Sequence, residues 1–211
     1  MTARDRILDA IRVALPARSS PEVIAAEAAA LLPDLDSTRP KLTADTLVEA
    51  FIGKAEAIGT TIDRVAEMAS VPDAVKQYLD RHELRPSLAL EQVPALTALG
   101  WGGVETHATI APDEPVALGI ALWGVAESGS LVVHSGAGTP ILLSFLPLHH
   151  IAVLRETDLL AHLEDYAARL ATMEVPRNAI LITGPSGTTD IEGSYVRGAH
   201  GPGFLHVMLV R

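Results

Sequence analysis

The chain has 211 residues, 48% of them hydrophobic, a formal net charge of −10 and no cysteine. This length and hydrophobicity are typical of one globular domain with appendages, and the negative charge disfavours binding to nucleic acid or to an anionic membrane surface. The lack of cysteine excludes disulfides, thiolate zinc sites and cysteine-ligated iron–sulfur clusters within this chain.

The N-terminal part of the sequence predicts helices. Apolar residues recur at helical spacing in residues 4–15, and residues 21–32 follow a Ser-Pro helix start. Thr43 is predicted to cap a third helix that Gly59 ends. We therefore predict that residues 1–59 form a helical prefix that packs on the main domain. Charged and apolar residues alternate at the N-terminus, which does not fit a signal peptide, so we expect a cytoplasmic protein.

From residue 60 onward, short apolar runs alternate with helical patterns. This alternation predicts an α/β domain over residues 60–211, with a mostly parallel sheet flanked by helices. Pro72 is predicted to open a helix that ends at Arg81. We also predict a short helix over residues 121–126, a strand over 141–145 and a helix over 158–172.

The run from Ser128 to Leu154 contains no Asp, Glu, Lys or Arg. Three histidines and several Gly and Pro residues divide it into pieces of strand length. We interpret the run as buried sheet and expect no membrane span.

A loop rich in glycine and hydroxyl residues separates the last two predicted strands, 179–183 and 204–210. We call residues 184–189, Gly-Pro-Ser-Gly-Thr-Thr, the glycine loop. Its small side chains let backbone N–H groups approach an anion or a hydroxyl-rich ligand, and it is expected to lie at the carboxyl end of a parallel strand, where such sheets bind ligands. The alternative is that Thr188 or Thr189 caps a helix, with Asp190 in its first turn.

Charged residues near these turns are the candidates for chemistry. Glu127 can act as a general base, a nucleophile or a ligand to a substrate hydroxyl, or it can simply hold backbone N–H groups in its turn. Arg197 suits a carboxylate or a substrate anion, with an ion pair to Asp190 or Glu192 as the alternative. The histidines lack metal-binding spacing, so we predict no metal site, and His200 is the only histidine proposed for the site.

Two segments resemble signatures of a known family, the lactate-utilisation protein C family of LUD-domain proteins. The C-terminal signature, residues 182–210, reads ITGPSGTTDIEGSYVRGAHGPGFLHVMLV, and the second signature, residues 116–133, reads VALGIALWGVAESGSLVV. Thr189 departs from the family pattern, which usually has alanine there. The resemblance implies the NagB/RpiA/CoA-transferase-like fold, shared by sugar-phosphate isomerases, CoA transferases and folate cyclo-ligases.

The resemblance also implies a function. It implies the C component of an L-lactate oxidation system, beside two iron–sulfur partner proteins, the A and B components. Since the sequence has no cysteine and no flavin or nicotinamide motif, we expect this chain to hold no cofactor. We expect it to be an accessory subunit that binds a small anionic metabolite or a partner protein. One alternative is an independent enzyme acting on a sugar phosphate, CoA ester or folate-like substrate, and another is a scaffold in which the signatures only maintain the fold.

The predicted site combines both signatures. The candidate catalytic residues are Glu127 and Asp190. The candidate ligand-binding residues are Gly184, Ser186, Gly187, Thr188, Ser128, Gly129, Arg197 and His200.

Overall fold

A computed structural model describes residues 2–15, 19–31, 39–42, 44–189 and 192–211. The chain divides into two units, one ending at Pro40 and the other beginning at Lys41. The first unit contains helices α1 (Ala3–Ala14) and α2 (Pro21–Leu31), close to the predicted bounds. Thr2 and Asp5 form a capping box at the start of α1. Whether this unit packs on the main domain stays a prediction.

The second unit is an α/β structure. Its helices within the described residues are α3 (Leu47–Ala57), α4 (Val71–Arg81), α5 (Pro94–Thr97) and α6 (Leu163–Leu170). Its strands there are β1 (Thr61–Val65), β2 (Ser87–Leu90), β3 (Glu105–His107), β4 (Val116–Ile120), β5 (Trp123–Val125), β6 (Ser130–His134), β7 (His149–Arg155), β8 (Leu159–Leu160), β9 (Ala179–Ile182), β10 (Gly187–Thr189), β11 (Tyr195–Arg197) and β12 (Phe204–Val210).

The main sheet has six strands in the order β1-β12-β7-β4-β2-β3, and every neighbouring pair is parallel. Helices α3 and α4 supply buried side chains to two separate core clusters. Tyr78 and Leu79 of α4 belong to the cluster that includes Leu88, while Phe51 of α3 belongs to the cluster that includes Leu154. The predicted α/β fold, mostly parallel and flanked by helices, is confirmed.

A second sheet has the order β8-β5-β6-β9. Its strand β5 lies where a helix was predicted over residues 121–126, and that prediction is wrong. Gly124 pairs with Leu131 of β6, and a Cβ at Gly124 would lie 2.7 Å from Leu154 Cδ2. The segment is therefore extended because β6 supplies hydrogen-bond partners and the core leaves no room for a side chain at Gly124.

Two other predicted elements differ from the structure. Residues Ile141–Ser144 form a 3₁₀ turn instead of a strand, with a backbone hydrogen bond from Leu143 N–H to Pro140 O (3.0 Å). The helix predicted from residue 158 begins only at Leu163, because the preceding Leu159–Leu160 segment pairs with β5. Predicted helix α4 is confirmed from Val71 to Arg81.

Helix α3 begins with a side-chain cap. Thr43, the predicted cap, lies outside the described residues, and Thr46 Oγ1 instead accepts a hydrogen bond from the Glu49 backbone N–H (3.2 Å). We expect Thr46→Ala to lower the free energy of unfolding by about 1 kcal/mol in urea denaturation, since this N–H then loses its partner. Thr46→Ser keeps the hydroxyl and is the control; equal losses in both variants would contradict the capping role.

Within the described residues, no helix is both long and apolar enough to cross a membrane.

Candidate functional site

The glycine loop borders a hollow of about 340 Å³, which we call the glycine-loop hollow. Four of the predicted ligand-binding residues lie in its wall: Gly184, Ser186, Gly187 and His200. The complete wall consists of Ser144, Phe145, residues 180–187, His200, Gly201 and Pro202. The structure thus brings the two halves of the C-terminal signature together around one cavity.

Backbone hydrogen bonds fold the C-terminal signature back on itself. Ser186 N–H donates to Pro202 O (2.8 Å), and Gly198 N–H donates to Ser186 O (2.9 Å). Strand β10 pairs with β11 in antiparallel fashion, with Thr188 opposite Val196. Thr188 and Thr189 pair within β10, and the described residues that follow, 192–197, form a turn and strand β11 with no helix among them, so the helix-cap alternative is wrong.

The glycine loop does not lie at the carboxyl end of the parallel sheet, so that prediction is wrong. The preceding strand β9 belongs to the second sheet, where it pairs antiparallel with β6. The loop instead contacts Pro202, just before the amino end of β12. The apolar run 179–183 indicated a strand correctly, but its length and composition do not reveal which sheet the strand joins.

Two predicted site glycines pack against the C-terminal end of α3. Gly129 has a φ of +69° and Gly184 a φ of +80°. An added Cβ would lie 2.4 Å from Ala55 N at Gly129 and 2.8 Å from Ile58 O at Gly184. Because both the backbone angle and the close approach require glycine, each signature is fitted to the same helix end.

A chain of hydroxyl groups joins the two signatures. Ser128 Oγ lies 2.8 Å from Ser130 Oγ, which in turn lies 2.7 Å from Thr183 Oγ1. Ser130 is buried, and Thr183 lies in the wall of the glycine-loop hollow. Ser130 and Thr183 were not among the predicted site residues, although each directly adjoins a predicted glycine. Their contact makes the second signature a support for the wall of the hollow.

We expect Ser130→Ala to lower the free energy of unfolding by about 1–3 kcal/mol, because it removes both hydrogen bonds of a buried hydroxyl. Ser128→Ala removes only the hydroxyl at the end of this hydrogen-bonded row, and is expected to lower the free energy of unfolding by about 1 kcal/mol or less. Urea denaturation of both variants tests this difference. Equal losses of unfolding free energy in the two variants would contradict a larger stabilising role for Ser130 than for Ser128.

Glu127 does not lie in the wall of the glycine-loop hollow. One of its carboxylate oxygens, Oε1, accepts a hydrogen bond from the Leu163 backbone N–H (2.7 Å), at the first residue of α6. A carboxylate there satisfies a helix N–H and interacts favourably with the helix dipole. This contact supports the structural alternative for Glu127. The second candidate catalytic residue, Asp190, lies outside the described residues.

Arg197 is exposed and does not contribute to the wall. Its guanidinium carbon lies 4.4 Å from the ring centroid of Phe204, and its Nε donates to Gly203 O. These contacts place its charge at the amino end of β12 by a cation–π interaction. Neither Glu192 nor any other described carboxylate forms an ion pair with it.

A buried cluster of aromatic and histidine rings lies beside Phe204 and was not predicted. The His149 ring stacks on Phe204, with centroids 4.2 Å apart, and its Nδ1 lies 2.8 Å from Tyr78 Oη. The Tyr78 ring lies 4.5 Å from that of His206. Burial lowers the pKa values of His149 and His206 to about 4 and raises the pKa of Tyr78 to about 12, so all three are neutral at neutral pH.

In the sequence, the only indication of this cluster is the position of its histidines within strands. His149 is the first residue of β7, and His206 is the third of β12, in strands whose other residues are mostly apolar. Tyr78 comes from α4, so its contacts with them connect distant parts of the sequence. The parallel register brings Phe204 beside His149, which the sequence alone does not specify.

These features define the class of protein. It is an α/β protein with a parallel main sheet, a second sheet, and two glycine turns that pack on one helix near a loop-lined hollow. Residues 48–210 match the LUD domain family model. The chain therefore belongs to the LUD domain family, as its two signatures indicated.

Relatives agree with this assignment, and a solved structure shares the fold. The chain is 28% identical over 159 residues to lactate utilization protein C of Halalkalibacterium halodurans, covering 71% of this chain and 67% of the relative. It is 28% identical over 181 residues to lactate utilization protein C of an Exiguobacterium species, covering 79% and 78%. A crystal structure of a DUF162 family protein from Deinococcus radiodurans shares the fold, with a TM-score of 0.61, 20% identity, and coverage of 78% and 96%.

Proposed function

We propose that this protein takes part in lactate utilisation as an accessory subunit that holds no redox cofactor. In this proposal, iron–sulfur A and B components carry the electrons in the cytoplasm, and this chain binds them or a small anionic metabolite. Membership of the LUD domain family and the names of two relatives support the role in lactate utilisation. The absence of cysteine means that a cysteine-ligated cluster must come from another chain.

The observation that carries the proposal is the glycine-loop hollow. Its wall combines the glycine loop with His200 and Gly201 from the end of the same signature, while Ser130 of the second signature hydrogen-bonds to Thr183 in the wall. A hollow supported by both signatures suits a binding function common to the family.

Apolar residues exposed at the hollow favour a protein partner as its occupant. Phe145 and Leu181 lie in the wall, and each is 40% exposed. Leu142 and Leu148, three residues to either side of Phe145 along the chain, are also exposed. Large exposed apolar side chains in the wall of a recess, such as Phe145 and Leu181, are typical of protein interaction sites.

Co-purification tests this interaction. We expect a tagged form of this protein to retain the A and B components, and Phe145→Ser to reduce their recovery at least about tenfold, as loss of a central aromatic anchor does. Leu163→Ser is the matched control, because Leu163 is similarly exposed (43%) but lies outside the wall. Equal recovery with wild type and Phe145→Ser would contradict the proposed surface.

An independent enzyme using Glu127 is the second candidate. The hydrogen bond from Leu163 N–H to Glu127 supports a structural role for this carboxylate instead. Glu127→Gln keeps an oxygen acceptor for that N–H, so we expect lactate oxidation by the reconstituted system to continue at the wild-type rate. Loss of oxidation with unchanged folding would favour the enzyme. Asp190 keeps its proposed role in the site, and Asp190→Ala tests it in the same assay.

A further inference from the structure

Strands β2 and β4 are parallel neighbours in the main sheet, so their carboxyl ends lie side by side. The chain leaves β2 toward β3 on one side, whereas it leaves β4 toward β7 on the other side. Open parallel α/β sheets bind ligands outside the carboxyl ends of two strands whose connections diverge in this way. The topology therefore points to the carboxyl ends of these two strands.

A buried carboxyl group lies at these strand ends. Glu91 directly follows β2 and is 3% exposed. Its Oε2 accepts a hydrogen bond from the Ile120 backbone N–H (2.6 Å) at the end of β4, and its Oε1 accepts one from the Thr139 hydroxyl. Burial raises the pKa of the Glu91 carboxyl, and these two hydrogen bonds oppose that effect.

Glycines leave the space that this carboxyl group fills. A Cβ at Gly119 in β4 would lie 2.9 Å from Glu91 Oε2. A Cβ at Gly138 would lie 2.6 Å from Gln92 O, so the loop carrying Thr139 approaches the β2 end closely only because residue 138 is glycine. Gln92 N–H also donates to Gly138 O (3.0 Å). The carboxyl group is thus built into the fold at this point.

A hollow of about 550 Å³ lies over Thr139, and we call it the switch-point hollow. Its polar wall residues include Ser135, Thr139, Arg177 and Asn178. Thr139 both faces this hollow and donates its hydroxyl proton to Glu91, so its oxygen remains an acceptor for a ligand hydroxyl. Arg177 supplies the positive charge and the planar set of donors that suit a carboxylate.

We propose that the switch-point hollow binds a small oxyanion that carries a hydroxyl group, such as a hydroxycarboxylate. Arg177 binds the anionic group, and Thr139, fixed by Glu91, accepts a hydrogen bond from the ligand hydroxyl. The site is separate from the glycine-loop hollow, with which it shares no wall residue. It therefore does not depend on the proposed partner surface.

Titration followed by ¹H–¹⁵N NMR spectroscopy of the full chain tests this site. L-Lactate is the probe, L-lactamide lacks the anionic group, and propionate lacks the hydroxyl. We expect L-lactate to shift the backbone amide signals of Gly136, Thr139 and Asn178. Each comparison compound should bind roughly tenfold more weakly or worse, the loss expected for a missing hydrogen bond to a charged or buried partner.

Variants separate the contributions of the two recognition groups. Arg177→Gln should weaken L-lactate binding about tenfold without changing the fold, since Arg177 is exposed. Arg85→Gln, before the amino end of β2, is the matched control and should bind normally. Glu91→Gln keeps the size of the side chain and should reduce the preference for L-lactate over propionate.

Three results would overturn the proposal. These are equal binding of all three compounds, L-lactate shifts confined to residues 184–187 and 200, and no binding of L-lactate in the millimolar range. Failure of Phe145→Ser to disturb partner recovery would leave this site unaffected, so the two proposals fail separately.

Discussion

Gly129→Ala is expected to lower the free energy of unfolding by about 2–5 kcal/mol. Two effects add at this position. The φ of +69° is unfavourable for any residue with a Cβ, and the new Cβ would lie 2.4 Å from the backbone nitrogen of Ala55 in α3. Since backbone atoms cannot rotate away as a side chain can, the turn must separate from α3. Urea denaturation measured by circular dichroism gives the change directly.

Gly53→Ala is the matched control on the same helix. Gly53 lies within α3, and a Cβ there would meet nothing within 4 Å. Alanine has the higher helix propensity, so we expect this variant to gain up to about 1 kcal/mol. If Gly129→Ala unfolded at the wild-type urea concentration, the close packing of the second signature on α3 would be refuted.

Lowering the pH from 7 to 5 is expected to destabilise the protein through its buried histidines. His149, His150 and His206 have pKa values lowered to about 4, chiefly by burial. In the unfolded chain they titrate near pH 6.5. Between pH 6.5 and 4 the unfolded state therefore binds more protons, and stability falls as the pH falls. Glu91 acts in the opposite direction, because its pKa is raised.

His150 provides the cleanest test of this pH dependence. Its side chain is buried, and its Nδ1 has no hydrogen-bond partner among the described residues. We expect His150→Leu to lose about 2 kcal/mol less than wild type between pH 7 and pH 5, since that change removes one proton-binding group from the unfolded state. His162→Leu, at a half-buried position, is the control. Parallel pH profiles of wild type and His150→Leu would contradict the account.

The parallel sheet could be predicted from sequence because its strands are short apolar runs separated by helical patterns. Strand β5 could not be predicted in this way. It is extended because it pairs with β6 and β8, which lie elsewhere in the sequence. Read locally, residues 121–126 predicted a short helix instead. The 3₁₀ turn over Ile141–Ser144 was missed for a related reason, because apolar composition indicates burial without specifying backbone conformation.

The candidate site was predictable where its residues lie close together in sequence. The glycine loop and His200 belong to one signature, and both line the same hollow. The Ser130–Thr183 hydrogen bond spans 53 residues, and Glu91 and Thr139 are 48 residues apart. Such contacts depend on strand pairing and on the paths of the connecting loops, which residue type and local spacing do not encode.

Lactate oxidation by the reconstituted A and B components, measured with and without this chain, tests the central claim most directly. The account predicts rapid L-lactate-dependent electron transfer only when all three proteins are present, and its loss when Phe145→Ser replaces the wild-type chain. Oxidation at the same rate without this chain would contradict an accessory role in lactate utilisation.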